Sequence, residues 1–414
     1  MRMYVGIQIF VFISALCLDF VLLLNNGLAR TPPMGWMSWG YYQCADDCDK
    51  TPDKCLNEQL IMSVADALFN DGYLEAGYEY VVIDDCWSER LRDRNDRLVP
   101  DRKRFPRGMK FLADYVHKLG LKFGMYTNVG KDTCMHYPGS RDHFESDAQQ
   151  FAEWDVDYLK VDGCFVENEY LDTAYIKLGH HLNKTGRPMV FSCSWPYYKE
   201  YIHKTEFSYA PIAKHCNMWR NFHDIFINFG NVVWIIENYE KNNKLYRQFH
   251  KPGQWNDPDM IILGNNGLTE SQSRIQMGLW SMWSAPLLLS CDMRNIKPFE
   301  KQLLQNMDLL AIAQDPRGKM AAAFKIREKV TLWVKRHLPM KGDIYSSYSF
   351  ALVNLRGDNQ YVSFKPADYG LEATDVYTIM DVFTGVFLRN VTRQEVLNIS
   401  VPSEDIILYT FYPL

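Results

Sequence analysis

Tyr158-Leu159-Lys160-Val161-Asp162-Gly163-Cys164 is the stretch that decides how this chain is read. A short apolar run after a helical segment reads as a buried strand, and a period of two puts Lys160 and Asp162 on one face just where Gly163 ends it. A cation beside a carboxylate at a strand's C-terminal end is suited to chemistry, because the lysine's charge favours the anion that a nucleophile needs. A structural ion pair is the plainer reading of the heptapeptide alone, so its context decides.

Three further stretches repeat the theme. Tyr80-Val-Val-Ile83 runs into Asp84-Asp85-Cys86-Trp87, and Trp219-Arg-Asn-Phe-His-Asp224 and Trp255-Asn-Asp-Pro-Asp-Met260 again set acids among aromatic rings. Acids on several strand ends, each beside a ring, suit a sugar site. Rings cover the apolar face of a sugar while carboxylates accept its hydroxyl protons.

Outward from these motifs, helix and strand alternate. Leu60, Ile61, Val64 and Leu68 recur at helical spacing before the strand ending at Ile83, and Phe111, Leu112, Tyr115, Val116 and Leu119 precede Leu121–Tyr126. Phe144, Ala148 and Phe151 precede the Asp162 strand; Ala174, Leu178 and Leu182 precede Met189–Ser192. Four such units imply a parallel sheet. An open doubly wound sheet is the rival, but candidate residues on at least five strand ends favour a (β/α)8 TIM barrel, which gathers them at one mouth. After Gln314-Asp-Pro-Arg-Gly318 come short strand candidates at 330–334, 350–353, 361–364, 377–380, 397–401 and 406–409, expected to form a C-terminal antiparallel β-sandwich.

A length of 414 residues accommodates both units. The expected division is a leader over 1–24, with an uncertain cleavage point, a catalytic barrel over 25–318 and a sandwich domain over 319–414. The apolar stretch after Arg2 is short and interrupted by Asp19, as in a signal peptide, and no stable membrane insertion is expected. A net charge of −5 without a basic run argues against nucleic acid. Of ten cysteines, Cys17 falls in the leader, eight could form four bridges in an oxidising compartment, and Cys291 is left over as a buried thiol. Sequence alone leaves the pairing open. No CxxC or HExxH pattern occurs, so neither metal nor cofactor is expected. Asn183, Asn390 and Asn398 head N-glycosylation sequons, consistent with secretory passage to a lysosome or the exterior.

From Asn26 onward the chain resembles the retaining α-galactosidase and α-N-acetylgalactosaminidase family of glycoside hydrolases. The resemblance rests on six motifs in family order: 26–36, Ile-Asp-Asp-Cys-Trp (83–87), Lys-Val-Asp-Gly-Cys (160–164), Ser-Cys-Ser-Trp-Pro (192–196), Trp-Arg-Asn-Phe (219–222) and Trp-Asn-Asp-Pro-Asp-Met (255–260). It implies the bridges Cys44–Cys86, Cys48–Cys55, Cys134–Cys164 and Cys193–Cys216. It also implies Asp162 as nucleophile and Asp224 as acid/base, a pair that in a retaining enzyme sits about 5–5.5 Å apart. Partial desolvation is expected to raise the pKa of Asp224.

The resemblance gives Asp84 and Asp85 the C4 and C6 hydroxyls, Lys160 the neighbouring hydroxyls, and Trp39 and Tyr126 the ring contacts. Arg220, Tyr198, Asp259 and Met260 become the wall near C2, with Cys134–Cys164 a rigid side. At the loop after the fifth strand, galactose-specific relatives carry Glu and Leu, and N-acetylgalactosamine-specific ones Ser and Ala. This chain carries Ser194 and Tyr197, a mixed pattern that favours an exo-enzyme removing terminal α-N-acetylgalactosamine from glycolipids, glycoproteins or oligosaccharides. An α-galactosidase, a dual enzyme and an inactive carbohydrate-binding relative are the alternatives. The resemblance also makes a homodimer possible.

Overall fold

The computed structural model describes residues 26–341 and 344–414; the leader expected over 1–24 lies outside the described residues. Eight short strands form one parallel sheet: β1 (Met34–Met37), β2 (Tyr80–Val82), β3 (Lys122–Asn128), β4 (Tyr158–Asp162), β5 (Val190–Cys193), β6 (Met218–Arg220), β7 (Trp255–Asp257) and β8 (Leu287–Leu289). Each pairs with its chain neighbour from β1 to β7, and β8 pairs with β1. The sheet closes through the residue pair Ile261–Leu289 just beyond β7, where Ile261 donates to Leu288 at 2.8 Å and Ser290 to Ile261 at 2.9 Å. This is the eight-stranded barrel that the alternation implied.

The helices that return the chain are α1 (Glu58–Asn70), α2 (Gly108–Lys118), α3 (Phe144–Glu153), α4 (Asn168–Lys184), α5 (Tyr209–His215), α6 (Phe229–Phe249), α7 (Glu270–Met282), α8 (Pro298–Leu304) and α9 (Met307–Ala313). Their starts follow from local chemistry. Asn57 caps α1 through Leu60 N at 2.8 Å, Asn228 caps α6, and Thr269 and Gln272 form a reciprocal box at α7. Ile61, Val64 and Leu68 of α1, and Leu112, Ala113 and Val116 of α2, are almost wholly buried, so the periodic apolar stripe is the face turned to the sheet.

The C-terminal part is a six-stranded antiparallel sheet with a two-stranded pair over one face. Its strands are β9 (Ala322–Arg327), β10 (Val330–Lys341), β11 (Ile344–Asn354), β12 (Gln360–Phe364), β13 (Val376–Asp381), β14 (Val386–Thr392), β15 (Leu397–Val401) and β16 (Asp405–Pro413). Alternation sorts its residues into two layers. Trp333, Ala351, Val353, Ile406 and Leu408 join the barrel core, whereas Leu332, Val334, Phe350 and Leu352 pack against Val362, Phe364, Leu397 and Val401 of the β12–β15 pair. Helix α7 bears on β16 so closely that a Cβ at Gly278 would stand 2.9 Å from Ile406 Cδ1, and Arg274 pairs with Asp405 at 2.8 Å. Strands β9 and β14, largely exposed, were not among the sequence expectations.

Candidate active site

The expected site residues are carried where the barrel strands finish. Trp39 follows β1, Asp84 and Asp85 follow β2, Tyr126 lies on β3, Lys160 and Asp162 on β4, Ser194 follows β5, and Arg220 ends β6 four residues before Asp224. Together they line a cavity of about 150 Å3 with Cys134, Cys164, Tyr197, Tyr198 and Phe222.

Asp162 is gripped from two sides. Tyr126 donates its hydroxyl to Oδ2 at 3.0 Å and Tyr198 donates to Oδ1 at 3.1 Å. The Tyr198 ring reaches it because Gly163 carries no side chain: a Cβ there would meet the ring at 2.8 Å. Behind both phenols stands the Cys134–Cys164 disulfide, its Sγ atoms 3.3 Å from the Tyr126 hydroxyl and 2.9 Å from that of Tyr198. Asn128, also on β3, donates to Cys164 O at 2.9 Å and braces this wall. The other three bridges are Cys44–Cys86, Cys48–Cys55 and Cys193–Cys216, and Cys291 is free and buried.

Two expectations are corrected. Lys160 does share a face with Asp162, but its ammonium pairs with Asp84 Oδ2 at 2.7 Å, both side chains being buried. Burial alone would pull Lys160 down; the carboxylates of Asp84, Asp162 and Asp224 outweigh it and hold its pKa above the ordinary value. Asp224 was expected to be raised, and it is lowered. Desolvation acts upward, but half of the side chain is exposed, and Arg220 Nη2 donates to Oδ1 at 3.1 Å; that guanidinium, with Lys160 and His223, prevails.

The adjacent acids are reconciled differently. Burial raises Asp84 against the pull of Lys160, and Asp85 is pushed up to about 6 by desolvation while accepting from the amides of Cys86 at 2.7 Å and Met135 at 3.0 Å. Cys86 itself has φ +73°, a left-handed conformation, and is bonded to Cys44.

Asp259 and Met260, expected as wall residues, do not line the cavity. Asp259 stands behind Arg220, 3.0 Å from Nη2, and accepts from Ile225 N at 2.8 Å; Met260 is buried, its carbonyl accepting from Gln276. Conversely Phe222 lines the cavity without having been assigned a role; its place in Trp-Arg-Asn-Phe, two residues past Arg220 and two before Asp224, was the available signal. Tyr197 is held in a ring cluster. Its hydroxyl lies 3.4 Å from His223 Nδ1, and its ring centroid lies 5.2 Å from that of His223 and 6.0 Å from that of Tyr201. Among the described residues no group of His, Cys, Asp or Glu is placed to hold a metal ion.

A family model described as Alpha galactosidase A, Melibiase_2, matches residues 31–315, which spans the whole barrel. The chain belongs to the melibiase family of glycoside hydrolases. Within that family it is 40% identical over 394 residues to the α-N-acetylgalactosaminidase of Gallus gallus, covering 94% of this chain and 95% of the relative. To human α-galactosidase A it is 42% identical over 332 residues, 80% of this chain and 76% of that one. Among solved melibiase-like structures, α-galactosidase I from Mortierella vinacea superposes with a TM-score of 0.82 at 28% identity, covering 94% and 98% of the two chains.

Proposed function

We propose that this protein is a retaining exo-α-glycosidase that removes terminal α-N-acetylgalactosamine by double displacement. The observation that carries the reading is the pairing, in one small cavity, of an acid gripped by two phenols, Asp162, with a half-exposed acid beside an arginine, Asp224. A nucleophile needs a fixed carboxylate; an acid/base must exchange protons with solvent and leaving group.

Asp162 attacks the anomeric carbon while Asp224 protonates the glycosidic oxygen, and the aglycone departs. Asp224 then takes a proton from water, whose oxygen attacks the β-glycosyl ester and frees Asp162 with the α configuration restored. The ion-paired Asp84–Lys160 couple and Asp85 present acceptors and a donor to the sugar hydroxyls, and Trp39 a ring face.

For the sugar, Ser194 offers a small side chain and a hydroxyl to an acetamido group, and Tyr197 stands beside it with its ring pinned. Similarity to animal α-N-acetylgalactosaminidases over nearly the whole chain supports that choice, and similarity to α-galactosidase A keeps plain α-galactosides as the second reading. The exposed sequon residues Asn183, Asn390 and Asn398 and the apolar leader fit a secretory or lysosomal glycoprotein, and no described helix is long and apolar enough to cross a membrane. A homodimer is part of the same reading, checked by light scattering. The mechanism is tested by proton NMR of the nascent sugar: an α first product is expected, and a β first product overturns double displacement.

A further inference from the structure

Two stacked rings stand outside the disulfide that walls the catalytic cavity. His136, in the loop after β3, lies two residues past Cys134, and Phe165, in the loop after β4, directly follows Cys164; their ring centroids are 4.8 Å apart and their planes 14° from parallel. Cys134 and Cys164 both line the cavity, and Cys134 Sγ is 3.5 Å from Asp162 Oδ2. The stack therefore continues the wall beside the expected nucleophile. It nevertheless faces solvent: His136 is exposed, and Phe165 is 62% exposed.

Both residues hold a left-handed backbone, His136 at φ +61° and Phe165 at φ +59°. A bulky residue there is an outlier that costs free energy and persists only where its surroundings impose it. Here they do. On one side, Thr133 N donates to Tyr137 O at 2.7 Å and His136 N to Thr133 O at 2.9 Å, while Arg90 lies over the Tyr137 ring and donates to Met135 O at 2.9 Å. On the other, Phe165 is held between two anchored carbonyls: Asn128 donates to Cys164 O at 2.9 Å and His203 to Val166 O at 2.9 Å. The fold thus spends hydrogen bonds to keep an apolar ring strained and wet, which burial does not explain. Backbone outliers of this kind cluster at ligand clamps.

What meets the rings follows from the size of the cavity. At about 150 Å3 it is well below the roughly 300–1,000 Å3 of drug-sized sites, so it admits a terminal sugar and leaves the rest of a glycoconjugate at the rim. The surface chain neighbours of the stack include Lys131, Asp132 and Glu167, polar groups that suit sugar hydroxyls better than a lipid tail.

We propose that the His136–Phe165 stack is an aglycone platform, on which the sugar next to the scissile bond lays its apolar face. Phe165 supplies the contact, and His136 fixes the plane of its ring. The choice of occupant rests on the glycosidase reading; the stack and its strained backbone do not.

The experiment compares two substrates with the same terminal sugar, its methyl α-glycoside and the disaccharide in which it is α1→3-linked to galactose. Phe165→Asn and His136→Asn remove each ring while keeping a residue that tolerates the left-handed backbone, and melting temperature reports the fold. Expected is a wild-type kcat/KM ratio that favours the disaccharide, lowered roughly fivefold or more by Phe165→Asn, since a contact on an open surface is worth less than one in a closed pocket. Phe165→Trp restores the ratio, and His136→Asn lowers it by less than Phe165→Asn does. A ratio unchanged in Phe165→Asn would overturn the platform. An equal loss on an octyl α-glycoside would overturn the sugar as its occupant. Calorimetric binding of the same pair to Asp162→Asn, with and without Phe165→Asn, repeats the comparison without turnover. Inactivity of the wild type on every α-glycoside would then sink the glycosidase reading, and the platform would stand or fall on those affinities.

Discussion

One nitrogen of Arg220, Nη2, reaches both Asp224 at 3.1 Å and Asp259 at 3.0 Å. Asp259, with φ +82° and a bond from Ile225 N, is fixed from behind, so the guanidinium is aimed at Asp224 instead of wandering in the cavity. What sequence motifs present as a binding wall is an electrostatic chain: a buried acid orients a cation, and the cation tunes the outer acid.

The pH profile follows from that chain. Asp224 must be protonated at the first step and its carboxyl is held below the ordinary range, so the alkaline limb of kcat/KM falls at acidic pH and the optimum lies well below 7. Arg220→Met removes the depressing charge, lets the Asp224 pKa rise and moves that limb to higher pH. A limb that stays put, in a variant shown to be folded by circular dichroism, counts against Asp224 as the acid.

Azide separates the roles of the two acids. Asp162→Ala and Asp224→Ala should each lose at least the roughly 10²–10⁴-fold ascribed to a positioned acid or base. With an activated α-glycoside, azide rescues Asp162→Ala by direct attack and yields the β-glycosyl azide. In Asp224→Ala it attacks the β-glycosyl ester and yields the α-azide. Exchange of these two products would reverse the assignment.

Ser194 and Tyr197 set the sugar preference. Ser194→Glu places a larger, charged group in the cavity and should cut N-acetylgalactosaminidase activity more than galactosidase activity. Tyr197→Ala removes a ring already held by His223 and Tyr201, so it opens a gap instead of relieving crowding; loss of packing on one acetyl methyl is worth about 1 kcal/mol, a several-fold drop. Wild-type preference for the plain α-galactoside, with Ser194→Glu nearly silent, would transfer the assignment to galactosidase.

The Lys160–Asp84 pair is a stability element as well as a binding one. Lys160→Met leaves the Asp84 carboxyl buried without its cation and should cost about 3–5 kcal/mol in urea unfolding, while Lys160→Met/Asp84→Leu recovers most of that without recovering activity. A single variant as stable as wild type would mean that water or a shifted proton already compensates Asp84.

Legibility in the sequence tracked the range of each interaction. Strand ends carrying Asp84, Lys160 and Asp162 were readable because alternation and a terminating glycine are local patterns, and the six family motifs extended that reading to the cavity lining. Lys160's true partner lies 76 residues away, so spacing favoured its chain neighbour Asp162. Asp224 inverted its expected shift for a related reason: flanking Phe222, His223 and Ile225 suggested desolvation, whereas Arg220, four residues back at the end of β6, supplies the deciding charge. Strands β9 and β14 escaped notice because most of their side chains are exposed and carry no core-facing alternation.

Cys291 gives the folded chain a built-in stopwatch. It is fully buried, its thiol is pushed far up by that burial, and the eight other cysteines among the described residues are bonded in pairs. Among the described residues a thiol reagent therefore finds no target until the barrel opens at the Ile261–Leu289 closure or unfolds altogether. The colour released over time then counts openings molecule by molecule, without any label being engineered in.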